Sequence, residues 1–239
     1  MSKAATMRFL AKWHIWLGWL VGLPILMWTV TGLVMVLTPI NEVRGSHLRL
    51  PVEQEALPPG NPAGIAFPIG NSIQYTEKRV VMQRGRPVWL LTTTDGNIER
   101  YAADGSGDPL PSVDEDYVRS LLAERIVGGD DLASLRLMDA ESPASDFRRA
   151  IPAWQAELQD GARVYVDARS GEIAAIRTDF WRVFDFAWGL HIMDLETRSL
   201  DEQTPFKHLM LVLFSALAVI GSLIGCVLMF RRRKARVKA

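Results

Sequence analysis

Cysteine is almost missing from this chain. Cys226 is the only one, so no intrachain disulfide can form. With neither CxxC nor CxxCH, a structural zinc knuckle and covalent c-type haem attachment are excluded. HExxH, GxSxG, GxGxxG and P-loop patterns are also absent, which removes the common hydrolase and nucleotide-binding signatures. There is no excess of either charge: 27 basic side chains balance 27 acidic ones. Nothing global therefore points to nucleic acid. Histidine is scarce, with four in 239 residues.

What the chain does have is two long apolar runs. Trp13 to Leu37 contains no Asp, Glu, Lys or Arg, and His14 is its only ionisable group. At ~1.5 Å per residue such a helix crosses a ~30 Å hydrocarbon core with some tilt. It also lacks the polar face of a soluble helix. Lys3, Arg8 and Lys12 precede it. The run is too long for a signal-peptide core and no A-x-A-like site follows Leu37, so an uncleaved anchor is expected. The second run is Phe206 to Phe230, with Pro205 suited to its first turn. Arg231, Arg232, Arg233, Lys234, Arg236 and Lys238 follow, with no acid among them. Basic residues on the outer chain ends of both runs predict that both termini are cytoplasmic. Trp13, Trp16, Trp19, Trp28 and Trp181 lie in or near this zone, as interfacial tryptophans do.

The segment between the runs is divided by its turn residues. Residues 39–78 are rich in proline and glycine and read as a linker. A β pattern occupies 79–177. RVVMQ, PVWLLTTT and NIERYA are separated by Arg84-Gly85 and Asp95-Gly96, and LRLMD, PAWQAEL, ARVYVD and EIAAIR follow. Between them, Ser112-Val-Asp-Glu115 predicts a capping box opening a helix over 112–127. Asp114, Glu115 and Asp116 suit that helix N-terminus. Pro87, Trp89, Asp95 and Gly96 recur at an offset of 65 as Pro152, Trp154, Asp160 and Gly161, and Arg84 recurs as Arg149. A duplicated sheet unit is expected, packed on the intervening helix. Residues 178–205 are aromatic-rich (Trp181, Phe184, Phe186, Trp188) and predict an interfacial helix, followed by a polar stretch from Glu196 to Gln203.

Several of these features together resemble the PepSY-associated transmembrane protein family. His14-x3-Gly18-x3-Gly22-x-Pro24 with Thr31-Gly32-Leu33 is similar to that family's first span. Pro152-x-Trp154, Asp160-Gly161, Tyr165-Val166-Asp167 and Gly171-Glu172 resemble the PepSY signature. Gly189-Leu190-His191 and Lys207-His208, before a span ending in arginines, fit as well. The resemblance implies a membrane α+β protein: two transmembrane helices, 13–38 and 206–230, flank a periplasmic PepSY-like domain of antiparallel sheet plus helix. The location implied is a bacterial inner membrane. Some members are inner-membrane haem proteins that reduce ferric siderophores, usually with more spans than two. Other PepSY domains regulate peptidases.

Three histidines lie at membrane boundaries, His14 at the inner side and His191 and His208 at the outer. Imidazole is a common axial ligand of haem iron, and ionisable groups in spans are rare. His14 and His208 stand ~30 Å apart across the core and cannot share one iron. His191 and His208 are the expected axial pair for haem b, with Met193 and Met210 nearby. His14 would need a partner, such as His14 of a second copy across a twofold axis on the Gly18/Gly22 face. His47 is expected to be solvated. The expected function is a haem-b-binding redox component supporting ferric-siderophore reduction, with electron-transfer or iron-uptake partner proteins and no nucleic acid. The alternative is a non-catalytic module acting on a peptide, peptidase or membrane partner.

Overall fold

The computed structural model describes residues 3–51, 56–60, 73–195 and 205–236. Residues 52–55 and 61–72 of the proline-rich linker and the polar stretch 196–204 lie outside them. The chain divides into two compact units, one of Ile40–Arg182 and one of the residues up to Pro39 together with those from Val183 on.

The second of these units holds the long helices. Helix α1 (Lys3–Leu37) contains Pro24, and helix α5 (Pro205–Arg236) begins on a proline. Both contain segments, Ala4–Leu37 and Pro205–Phe230, that are long and apolar enough to cross a membrane. Their outward residues fit that length: Trp19, Leu23, Val36 and Phe206 are exposed, where a soluble protein would carry charge. The two helices meet along a narrow seam. A Cβ at Gly221 would touch the Leu17 side chain at 3.6 Å, and one at Gly225 would fall 2.8 Å from the His14 ring. The small-residue step that admits α1 is thus Gly221-x3-Gly225. Beyond Gly18 and Gly22 there is open space.

In the other unit a short helix α2 (Ile40–Val43) and a 3₁₀ turn (Ser46–Leu48) lead in. Strands β1 (Tyr75–Gln83), β2 (Arg86–Thr93) and β3 (Ile98–Ala102) form an antiparallel meander. Strands β4 (Leu132–Met138), β5 (Ala153–Leu158), β6 (Arg163–Asp167) and β7 (Ile173–Arg177) form a second.

The 65-residue offset is structural. Val88 pairs with Ala102 and Trp89 with Tyr101, and Ala153 pairs with Asp167 and Trp154 with Val166. The hairpin glycines share a left-handed φ, 81° at Gly96 and 82° at Gly161. Each amide bonds back three residues, to Thr93 O and to Leu158 O, both at 3.0 Å. Burial along residues 88–93 and 153–158 follows one pattern. Arg84 and Arg149, however, are not equivalent. Arg84 and Gly85 are the two-residue β1–β2 turn, with φ 51° and 77°, whereas Arg149 lies in the irregular connection between β4 and β5.

Helix α3 (Glu115–Arg125) lies between the repeats in the chain. Its N-cap is Asp114, whose carboxylate accepts from the Tyr117 amide at 2.8 Å. Ser112 is therefore not the capping residue. Asp114 caps because it stands three before Tyr117, whose amide has no partner within the helix. Val118, Leu121 and Leu122 of α3 bury against Ala156, Leu158, Val164, Val166 and Ile176 of the four-stranded sheet. The other face of that sheet is closed by the β4–β5 connection, where Phe147 stacks on Tyr165 at 4.5 Å between ring centres.

Candidate functional site

Two of the three candidate histidines, His14 and His191, are held through one ring nitrogen. His14 Nδ1 lies 3.0 Å from the Gly221 carbonyl oxygen of α5. A carbonyl only accepts, so Nδ1 carries the proton. His191 ends helix α4 (Asp179–His191), and its Nδ1 lies 3.0 Å from Thr31 Oγ1. Thr31 is 5% exposed, and its hydroxyl hydrogen is committed to its own helix, at 2.8 Å from Met27 O and 3.2 Å from Trp28 O. The hydroxyl can then only accept from His191. Both rings are therefore Nδ1–H tautomers. When neutral, each keeps its lone pair on Nε2, the arrangement of a ligating histidine whose other nitrogen is anchored.

Glycine is needed at the His14 seat, while at the His191 seat a Cβ would make only ordinary contact. A Cβ at Gly225 would press on the His14 ring, and one at Gly32 would sit 3.6 Å from His191 Cε1. His14 and Thr31 are 17 residues apart on one helix, or ~25 Å, so the two imidazoles belong to opposite ends of the helix pair.

The His191 end has further structure. Helix α4 closes with a left-handed residue, Met193 at φ 55°. The Asp194 amide bonds Gly189 O at 2.8 Å and the Met193 amide bonds Leu190 O at 3.1 Å, the pattern of a Schellman stop. A non-glycine there costs on the order of 1 kcal/mol. Asp194 is buried, and its carboxylate meets Lys207 Nζ at 2.9 Å. This pair ties the end of α4 to the first turn of α5, where His208 stands exposed. Met193 thus serves as the helix stop.

The aromatic residues of α4 divide. Trp181 carries Arg177 at 4.2 Å and Arg148 at 5.5 Å over its ring, so its face is occupied by guanidinium groups. Phe180, Val183 and Phe186 are exposed, and Asp185, Ala187 and Gly189 are buried. His47 is exposed. Among the described residues no group of three or more His, Cys, Asp or Glu could hold a metal ion.

Thr31, Gly221 and Gly225 were not singled out as site residues by their sequence. The signal for the last two was their i, i+4 spacing, which matches that of Gly18 and Gly22. No family model, curated protein or solved structure matches the chain.

Proposed function

We propose that this chain is a membrane-anchored, haem-b-binding redox component, seated in a bacterial inner membrane and supporting the reduction of ferric siderophores outside it. What supports the reading is the state of two imidazoles. His14 and His191 are oriented through Nδ1–H by Gly221 O and Thr31 Oγ1, which leaves Nε2 of each ring as the donor. That donor set, an anchored imidazole beside an apolar helix, suits haem iron. When bound, haem supplies one-electron iron chemistry. The chain's own residues bind and orient it. In this reading His191 and His208 would hold the haem iron at one end, their helices joined through Asp194–Lys207, and His14 would serve at the other, together with its copy in a homodimer on the Gly18/Gly22 face. Thr31 sets the His191 tautomer. Both termini are cytoplasmic and residues 51–203 periplasmic, in line with the basic flanks.

The test is a reduced-minus-oxidised spectrum of the full chain expressed with ample haem. A b-type spectrum is expected, lost or converted in His191→Ala or His208→Ala and kept in His47→Ala. Partial loss in His14→Ala reports a second haem. Topology is checked by alkaline phosphatase fused after Arg177, expected active, and after Ala239, expected inactive.

The second reading, a non-catalytic binding or regulatory module acting on a peptide, peptidase or membrane partner, draws on the cleft beside α3 in Ile40–Arg182. Wild-type protein with no haem would favour it.

A further inference from the structure

The cleft lies between β2–β3 and α3 and has a volume of about 870 Å³, within the range of small-molecule sites. One wall is sheet: Val88, Arg100 and Ala102. The other is the polar side of α3: Asp116, Ser120 and Glu124. Arg84 and Arg100 both lie over the Tyr117 ring, at 5.8 and 4.9 Å from its centre.

The two guanidiniums differ in their partners. Arg84 is paired with Glu124, Nη2 to Oε1 at 2.6 Å. Arg100 meets only neutral acceptors, Pro111 O at 3.1 Å and Gln83 Oε1 at 3.0 Å. Its Nε is buried and bonds nothing. Among the described residues no carboxylate comes within 4.0 Å of it, whereas Arg79, Arg163 and Arg169 each have at least one. Burial holds the Arg100 pKa below its usual value. A half-buried cation without an anion is a costly arrangement that a ligand of opposite charge relieves.

The sheet repeat explains why the space exists. Arg100 pairs with Leu90 and Tyr165 with Gln155, so the two hold the same position in the two meanders. Around Tyr165 the face is closed by Phe147. Beside Arg100 a cleft stays open, although Leu90 opposite it is buried.

We propose that this cleft binds a small organic carboxylate, with Arg100 as the group that receives it. A planar carboxylate matches the guanidinium fork. Asp116 and Glu124 on the facing wall disfavour a polyanion, which limits the ligand to one or two carboxylates. Arg86, exposed at the mouth, adds a second, weaker contact.

The experiment is calorimetric titration of the full chain in lipid nanodiscs with succinate, acetate, succinamide and inorganic phosphate. Succinate or acetate should bind saturably, succinamide should not, and phosphate should bind more weakly than succinate. Arg100→Gln should weaken binding about tenfold or more, the loss of a charge-assisted contact, with Arg100→Lys intermediate. Arg86→Gln, on an exposed side chain that folding does not need, should weaken it a few-fold. Arg119→Gln, outside the cleft, should change nothing. No saturable carboxylate binding, equal binding by succinamide, tighter binding of phosphate, or undiminished affinity in folded Arg100→Gln or in Arg86→Gln overturns the proposal. The site needs no haem, so its failure leaves the histidine reading untouched.

Discussion

The two meanders of Ile40–Arg182 share a backbone and differ in what covers it. At one repeat position stands Tyr165, wholly buried, donating to Asp146 Oδ1 at 2.6 Å and accepting from Gln155 Nε2. Arg163 joins the same carboxylate at 3.3 Å. At the other stands Arg100, half-buried and short of an anion. A phenol with one donor and one acceptor can be fully satisfied by neighbours on its own sheet and loop. A guanidinium with five hydrogens is not satisfied by two neutral acceptors. The same fold is thus used once to close a core and once to leave a cleft.

The largest effect that sharpens this contrast belongs to Phe147→Ala. It should cost ~3–5 kcal/mol by chemical denaturation, as buried aromatic truncations do, because Phe147 is the lid over Tyr165. Arg100→Gln, at the matching place in the first meander, should cost far less. Equal losses would break the comparison.

A smaller effect comes from pH. Burial, and next the Asp146 hydrogen bond, push the Tyr165 pKa up to about 12. The usual value is ~10. The unfolded chain therefore ionises first. The contribution is present in full below pH ~10 and is lost as pH rises to ~12, on the order of 2 kcal/mol. Stability against pH should fall across that window in the wild type and more shallowly in Tyr165→Phe. An identical slope in both would show that Tyr165 does not titrate with folding.

The smallest effect tests the repeat itself. Gly96→Ala and Gly161→Ala each force alanine to a φ near 80° and should each cost about 1–2 kcal/mol. The two should agree. A strong inequality would mean that the turns only look alike.

Much of this was legible from local chemistry. Asp-Gly turns, the Pro-x-Trp pairs and the apolar runs depend on neighbours in sequence, so the meanders and long helices could be read directly. What could not be read depends on packing at a distance. The match of Arg84 with Arg149 failed because the β4–β5 connection folds over the sheet face instead of turning. The α1–α5 seam falls on Gly221 and Gly225, which face Leu17 and His14, whereas Gly18 and Gly22 face open space. Thr31 became visible only when His191 was brought to it from 160 residues away. For the site, the histidines could be named in advance, but their tautomers required the partners.

The most direct test of the histidine reading is the haem content of the purified full chain, set beside that of Thr31→Val. Valine keeps the shape of threonine and removes the acceptor that orients His191. The account predicts at least one b-type haem per wild-type chain and an altered spectrum or weakened haem retention in Thr31→Val, with the fold unchanged by circular dichroism. A wild-type chain without haem, or a Thr31→Val spectrum and retention identical to wild type, would contradict it.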